Sequence, residues 1–185
     1  MEKKVPNKKL KSKSLRPRYS RYTWNDIQDM CNSIIYQLVA DKWIPDIIVG
    51  VCRGGLVPAT IISHRTDVMM YSLDVRLRDV GPDNKPILTS DCALSEDAYN
   101  GKNILIVDDI NDTGATFNWI KEDWPSNCHP DDPKWDSVWG SNVRFATLVE
   151  NMHSDFSDVS YYYAEVNKSY THEWYVFPWE WQDES

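Results

Sequence analysis

Two adjacent carboxylates follow an apolar run in the middle of the chain. Ile104 to Val107 is continuously apolar, as is typical of a buried parallel strand, and Asp108 and Asp109 come directly after it. Open α/β sheets bind their ligands at the edge where such strands end. Because carboxylates accept hydrogen bonds from hydroxyl groups and coordinate Mg²⁺, the pair suits a sugar and a divalent cation.

The residues after this pair turn the chain and begin a helix. Asn111 to Gly114 are typical turn residues, and a helix is predicted from about Thr113. The free amides at a helix start attract phosphate, Gly114 allows close backbone approach, and the hydroxyls of Thr113 and Thr116 add donors. Since carboxylates repel a bare phosphate, the combination predicts a site for ribose 5-phosphate with a metal. For the Asp pair alone, an ordinary strand-to-helix turn is the alternative.

The hydrophobic pattern predicts the elements that hold this turn. Thr23 is the predicted N-cap of a helix whose apolar positions recur from Ile27 to Leu38. Further helices are predicted over residues 56–65 and 113–124, and strands over residues 47–51, 68–73, 103–107, 143–149 and 159–166. Because strands alternate with helices, we predict an α/β fold with a mostly parallel central sheet flanked by helices.

Three segments fall outside this alternation. Residues 74–100 lose the pattern among charges, glycine and prolines, and a loop of that length predicts a flexible lid. Residues 126–142 are rich in Pro, Asp and Trp and are predicted to form a surface insertion. Residues 167–185 make a strongly aromatic C-terminal segment.

The composition indicates one ordinary globular domain. The chain has 185 residues, of which 42% are hydrophobic and 26% charged. It contains no apolar run of the roughly 20 residues that span a bilayer and no apolar core of a signal peptide, so we expect a cytoplasmic protein without a membrane partner. The four cysteines are scattered, which predicts reduced thiols rather than a zinc site.

The charge is unevenly distributed. Residues 1–18 carry eight of the 20 basic residues and one of the 28 acidic residues, although the whole chain has a net charge of −8. We predict a disordered basic arm over 1–18 and a folded acidic domain over 19–185. Such an arm could contact nucleic acid, but the acidic body argues against broad nucleic-acid binding.

The string V-D-D-I-N-D-T-G-A-T at residues 107–116 resembles the signature with which type I phosphoribosyltransferases bind 5-phosphoribosyl 1-pyrophosphate (PRPP). The resemblance implies the fold of that family, with a lid and a small C-terminal hood, and Mg²⁺ as cofactor. Asp112 would lie beside N7 of a purine as general base. The implied PRPP contacts within the string are Asp108, Asp109, Asn111, Asp112, Thr113, Gly114, Ala115 and Thr116.

A second string, Val51 to Pro58, is similar to the pyrophosphate loop of bacterial xanthine-guanine phosphoribosyltransferases. Arg53 offers charged donors to a diphosphate, and the glycines at 54 and 55 permit unusual backbone angles. The resemblance adds Arg53 and Gly54 to the implied PRPP contacts. It also implies a cis peptide bond in this loop.

The tail from Trp174 to Glu180 is similar to the hood of the same xanthine-guanine branch. The resemblance implies that Trp174 stacks on the base and that the backbone of Tyr175 contacts the base edge. Glu180 falls where the family often has an acidic residue, so Asp109, Asp108 and Glu180 are the implied metal ligands. An aromatic strand packed on the domain is the structural alternative for the tail.

Two departures concern the base and the lid. Where 6-oxopurine enzymes of this family carry a lysine after the PRPP helix, the matching strand puts Glu150 in the base site. A carboxylate accepts hydrogen bonds where an ammonium donates, so Glu150 would repel a purine O6. The lid cannot be matched residue by residue, although Arg76, Arg78 and Lys85 are candidate pyrophosphate contacts.

The predicted function is Mg²⁺-dependent transfer of the phosphoribosyl group from PRPP to a nucleobase, releasing pyrophosphate. A purine of the hypoxanthine, guanine or xanthine type is the predicted acceptor. A regulatory protein of the same fold that binds PRPP or nucleotides remains an alternative, as does a transferase acting on another nitrogenous base. The resemblance further implies a homo-oligomer, either a dimer or a tetramer.

Overall fold

The computed structural model describes residues 18–75, 92–169 and 173–180. The strands are β1 (Arg18–Arg21), β2 (Ile47–Cys52), β3 (Met70–Asp74), β4 (Ile104–Asn111), β5 (Val143–Asn151), β6 (Val159–Val166) and β7 (Glu173–Val176). The helices are α1 (Trp24–Ala40), α2 (Leu56–Thr66), α3 (Cys92–Tyr99) and α4 (Ala115–Asn127), with a 3₁₀ helix at Pro133–Ser137. Within these ranges, no helix is long and apolar enough to cross a membrane.

Five strands form a parallel sheet in the order β3-β2-β4-β5-β6. β4 lies at its centre, because it pairs with β2 on one side and with β5 on the other. The apolar runs of β2 and β4 are buried, as expected for strands covered on both faces. The predicted α/β fold with a parallel sheet and flanking helices is confirmed.

The alternation of side chains along the strands divides the core into two layers. Ile104 and Ile106 of β4 face a cluster that contains residues of α3, α4 and the 3₁₀ helix. Leu105 and Val107 face the other cluster, with α1 and α2. Helix α1 begins as predicted, since Thr23 and Asp26 form a capping box.

The C-terminal segment forms a second, two-stranded sheet with the N-terminal strand. β7 pairs in parallel with β1, so that Tyr19 lies opposite Trp174. The ring of Tyr22, just after β1, stacks on Tyr175 with centroids 6.1 Å apart. Arg18, assigned from the sequence to the basic arm, is therefore the first residue of a paired strand. The rest of that predicted arm lies outside the described residues.

The prediction of a loop over 74–100 was wrong for the end of that segment. Residues 92–99 form α3, whose Leu94 and Ala98 are buried in the core. In the sequence, the only sign of this helix is the pair of apolar residues Leu94 and Ala98, four positions apart. Residues 76–91, which include Arg76, Arg78 and Lys85, lie outside the described residues.

The predictions for 113–142 also need correction. α4 runs past Pro125 to Asn127, and the side chains of Ser126 and Asn127 donate to the Asp123 carbonyl at 2.7 and 2.9 Å. Pro125 lacks the backbone N–H that would donate to the Lys121 carbonyl, and the helix ends two residues later. The segment 126–142 is not merely a surface insertion, since Trp135 is buried in the core and donates to the Cys128 carbonyl at 2.9 Å.

Candidate functional site

The two carboxylates lie within the last part of the central strand. β4 continues through Asp108 and Asp109 to Asn111 on its β5 side, whereas its pairing with β2 ends at Val107. The chain therefore leaves the sheet later than the sequence indicated. Each carboxylate accepts a hydrogen bond from the next backbone amide, Asp108 from Asp109 at 2.9 Å and Asp109 from Ile110 at 2.8 Å.

The turn after β2 packs directly on these carboxylates. The Cys52–Arg53 peptide bond is cis, as the resemblance implied. A Cβ added at Gly54 would lie 1.9 Å from Oδ2 of Asp109, and one added at Gly55 would lie 2.3 Å from the Val107 carbonyl. Only glycine leaves room for this approach. The exposed Arg53 thus stands at the turn that contacts the carboxylate pair.

The carboxylates form a concentrated negative site. Burial, and then the charge of Asp109, raise the pKa of Asp108 well above its usual value. Burial also raises the pKa of Asp109 to about 6, and the charge of Glu180 contributes to that increase. Since ionised carboxylates this close and this buried repel one another, the site favours a cation or hydroxyl donors. Oxygen ligands of this kind fit Mg²⁺.

Glu180 comes to this site from the C-terminal segment. Its Oε2 accepts a hydrogen bond from the Phe177 amide at 3.0 Å, which holds the exposed side chain at the end of the hood. Its effect on the pKa of Asp109 places it near the carboxylate pair. All three predicted metal ligands therefore contribute negative charge to one region.

The start of α4 forms the predicted anion cradle. A cavity of about 80 Å³ is lined by residues 108 and 110–117. Gly114 has φ of +83°, and a Cβ there would lie 2.5 Å from the Phe156 amide nitrogen. α4 begins at Ala115, and the helix start therefore faces the cavity with free amides.

The loop after β5 braces this cradle from behind. Asn111 is 3% exposed, and its Nδ2 donates to Glu150 at 2.9 Å and to the Phe156 carbonyl at 3.0 Å. Ser154 donates to Asn111 Oδ1 at 2.9 Å. The side chain of Asn111 is therefore engaged inside the protein rather than presented to a ligand. The sequence did not indicate this role for Ser154 and Phe156, which lie about 40 residues further along the chain.

Glu150 supports the same brace. It is 7% exposed, with Oε1 bonded to Asn111 and Oε2 without a hydrogen-bond partner in the described structure. Burial raises its pKa to about 7, although the Asn111 bond opposes that increase. The carboxyl group is therefore only partly ionised at neutral pH, and its observed contact is with Asn111.

A cationic residue that the sequence analysis missed lies beside Asp112. Nζ of Lys168, in the loop after β6, is 2.8 Å from Oδ2 of Asp112. The same ammonium lies 5.9 Å from the ring centroid of Trp174, which is 56% exposed. Asn151 donates to the Asp112 carbonyl at 2.7 Å and accepts from the Lys168 amide at 3.2 Å. Thus Asp112, Lys168 and Trp174 are brought together, whereas no local sequence pattern links them.

A wider cleft lies elsewhere on the described part of the chain. It has a volume of about 780 Å³ and is lined by residues of the α4 end, the 3₁₀ segment and the start of β6. These elements meet at the amino-terminal edge of the sheet, opposite Asp108 and Asp109. Ligand chemistry is therefore assigned to the smaller carboxyl-edge site on the basis of its side chains rather than its volume.

Comparison with known families assigns nearly the whole folded part of the chain to one domain. The family model described as "Phosphoribosyl transferase domain" matches residues 22–184. A xanthine-guanine phosphoribosyltransferase from Cereibacter sphaeroides is 27% identical over 164 residues, which cover 85% of this chain and 84% of the relative. Xanthine phosphoribosyltransferase 1 of Saccharomyces cerevisiae is 28% identical over 116 residues, and the match covers 52% of this chain and 56% of the yeast protein.

A solved structure has the same fold. The crystal structure of a purine phosphoribosyltransferase from Pyrococcus horikoshii superposes with a TM-score of 0.63 and 26% identity. The match covers 90% of this chain and 97% of the archaeal chain. The two chains therefore share the overall fold.

A methyl group at position 54 is expected to disrupt the site. In Gly54→Ala the added Cβ displaces the Asp109 carboxylate, and we expect PRPP affinity in the presence of Mg²⁺ to fall by about 10- to 100-fold, measured by calorimetry. Gly101→Ala is the control, because its Cβ meets nothing within 4 Å although its φ is +91°. That variant should lose roughly 1 kcal/mol of stability and no PRPP affinity. Equal affinities of Gly54→Ala and wild type would contradict the proposed packing constraint.

The carboxylate pair should also make stability depend on pH. The pKa of Asp109 is about 6 in the folded protein and 3.8 ordinarily. Its contribution to stability is therefore fully present below about pH 4 and is lost as the pH rises through about 6. Asp109→Asn, which stays neutral, should gain roughly 2–3 kcal/mol relative to wild type between pH 4 and pH 7. Urea unfolding in the absence of divalent cations measures this difference, and parallel pH profiles would overturn the assignment.

Proposed function

Since the chain belongs to the phosphoribosyl transferase domain family, we propose that this phosphoribosyltransferase transfers phosphoribose from PRPP to a 6-oxopurine and releases pyrophosphate. One observation carries the proposal. The turn at Gly54 packs against the Asp109 carboxylate, so that a diphosphate site, a diol site and a monophosphate cradle adjoin one another. PRPP is the ligand whose three parts match these three chemistries.

Each part of PRPP has a partner in this proposal. The 5-phosphate binds the amides at the start of α4, where residues 113–116 line the cavity. The ribose hydroxyls donate to Asp108 and Asp109, whose pKa values are raised mainly by burial and further by the charge of neighbouring carboxylates. The pyrophosphate accepts hydrogen bonds from the exposed guanidinium of Arg53 and from the adjacent backbone.

The donor set of the carboxyl edge fits Mg²⁺. Asp108, Asp109 and Glu180 would hold the ion, since all are oxygen donors and their charges reinforce one another. When bound, Mg²⁺ offsets the charge of the pyrophosphate leaving group. The remaining steps depend on residues of the chain itself.

Transfer replaces one bond at C1 of the ribose by another. The bond to the pyrophosphate oxygen breaks as a ring nitrogen of the base forms a bond to C1. Positive charge that develops on the ribose is stabilised by the neighbouring carboxylates. Asp112 accepts the proton that the base releases, which is the role of a general base.

The acceptor is proposed from the groups around Asp112. Trp174 is exposed and offers a face on which a planar base can stack. Lys168 stands between this ring and Asp112 and donates to an oxygen on the base. Xanthine, guanine and hypoxanthine carry such an oxygen at C6, and two relatives bear xanthine in their names. Glu150 occupies the place where a purine-binding lysine was expected. In this proposal Lys168 supplies that cation from a different loop.

Pyrophosphate release tests the function. The protein incubated with PRPP, Mg²⁺ and a panel of bases should release pyrophosphate with 6-oxopurines. Asp112→Asn should lower kcat by roughly 10²- to 10⁴-fold and retain PRPP binding. The control is Asp136→Asn, an exposed aspartate on the 3₁₀ helix. Release with no base would refute the transferase proposal and favour a regulatory protein, whereas release only with other bases would refute the 6-oxopurine assignment.

Lys168 should determine base selectivity. A lost charge-assisted hydrogen bond costs about 1.5–3 kcal/mol, so Lys168→Met should reduce kcat/KM for 6-oxopurines by roughly 10- to 100-fold. The KM for PRPP should change little, because Lys168 faces the base side of Asp112. Lys121→Met is the matched control, since Lys121 pairs with Asp158 at 2.7 Å outside this site. Unchanged selectivity between hypoxanthine and adenine in Lys168→Met would contradict this role.

A further inference from the structure

A second group of ligating side chains lies outside the carboxylate site. Glu96 of α3 meets Cys128 and His129, the two residues that follow α4. Their ligand atoms, one from each residue, all lie within 4.8 Å of one another. The three residues supply a carboxylate oxygen, a sulfur and an imidazole nitrogen, which is a donor set typical of Zn²⁺.

The distances within this group suit a single small ion. Sγ of Cys128 lies 3.0 Å and Nε2 of His129 lies 3.4 Å from the same oxygen, Oε2 of Glu96. Tetrahedral Zn²⁺ with ordinary bond lengths places pairs of its ligand atoms about 3.3–3.5 Å apart. Both distances to Glu96 Oε2 are therefore close to that spacing, and all three ligand atoms lie within 4.8 Å of one another. Glu96 and His129 are about half exposed, which leaves a fourth position open to water.

The surroundings orient each ligand. Asn100 donates to Oε1 of Glu96 at 3.0 Å, which leaves Oε2 for the shared position. The His129 ring stacks on Tyr99 with centroids 4.0 Å apart, and the Tyr99 hydroxyl donates to Asp132 at 2.6 Å. Ligand orientation by outer contacts is characteristic of metal sites.

We propose that Glu96, Cys128 and His129 bind Zn²⁺. Binding releases the thiol proton of Cys128 to solvent, because the thiolate is the ligating form. The sulfur and imidazole donors select against Mg²⁺, which prefers oxygen ligands. The scattered cysteines of the sequence did not predict this site, since the nearest ligand to Cys128 besides His129 is 32 residues away.

The location assigns the ion a structural role. α3 leads into the amino-terminal end of β4, and α4 runs away from the anion cradle towards the same edge. Asn142, just before β5, donates to the Ala98 carbonyl at 2.8 Å, which places the end of α3 at that edge. A shared ion fastens α3 to the segment after α4 at the edge opposite Asp108. It therefore raises stability without entering the transfer reaction.

Metal binding by the full-length protein tests this site directly. Protein stripped with a chelator is titrated with Zn²⁺, and with Co²⁺ as a spectroscopic substitute. We expect one Zn²⁺ per chain, a higher unfolding temperature, and a thiolate-to-cobalt charge-transfer band in the near ultraviolet. Zn²⁺ should remain bound in excess Mg²⁺. No Zn²⁺ binding, or Co²⁺ binding without the thiolate band, would overturn the proposal.

Variants separate this site from adventitious binding. Cys128→Ser and His129→Asn should lose at least about 10-fold in Zn²⁺ affinity, and asparagine suits the left-handed backbone of residue 129, whose φ is 52°. His64→Gln, which removes an exposed histidine from α2, should bind like wild type. Equal affinity of wild type and Cys128→Ser would refute the site. Cys128→Ser should bind PRPP like wild type. A failure of the zinc proposal can therefore be distinguished from a failure of the transferase proposal.

Discussion

The arrangement at the carboxyl edge depends on the contact between a glycine turn and a half-buried pair of carboxylates. A Cβ at Gly54 or Gly55 would overlap Asp109 or the backbone of β4, so the turn after β2 can lie there only without side chains. This contact brings the turn that carries Arg53 to the carboxylates. It also shields Asp108 and Asp109 from water, which raises the pKa of both groups. The same packing therefore sets the glycine turn against two carboxylates whose mutual repulsion a bound cation would relieve.

Two other segments complete the carboxyl edge: the loop after β5, which holds the start of α4, and the C-terminal hood. The loop after β5 fixes Asn111 through Ser154, Phe156 and Glu150, and thereby holds the start of α4. Buried polar groups of this kind stabilise one geometry when their partners are present. The hood pairs with the N-terminal strand and carries Trp174 and Glu180 to the side of the site away from the start of α4. The proposed phosphate site and the proposed base site thus rest on segments far apart in the chain.

The proposed ligand site and the proposed zinc site lie at opposite edges of the sheet. The carboxyl edge carries the helix start, the carboxylates and Lys168, whose charges complement phosphates and an oxopurine. At the amino edge, the buried Trp135 packs the 126–142 segment into the core, and Glu96, Cys128 and His129 converge beside it. A change at one edge can therefore alter stability while the other retains its chemistry.

The sequence by itself determined the parallel sheet and the turn from strand to helix at which the sugar is proposed to bind. Continuous apolar strands, helix caps and the string from 107 to 116 are local features, and local sterics and hydrogen bonding decide them. The turn at Gly54 also followed from its local residue types. Only the tertiary structure decided that Asn111 and Glu150 bond each other, that Lys168 reaches Asp112, and that residues 92–99 and 135 belong to the core. These contacts join segments that are far apart in the sequence. Neither hydrophobic periodicity nor the spacing of residues along the chain shows which remote segments will meet.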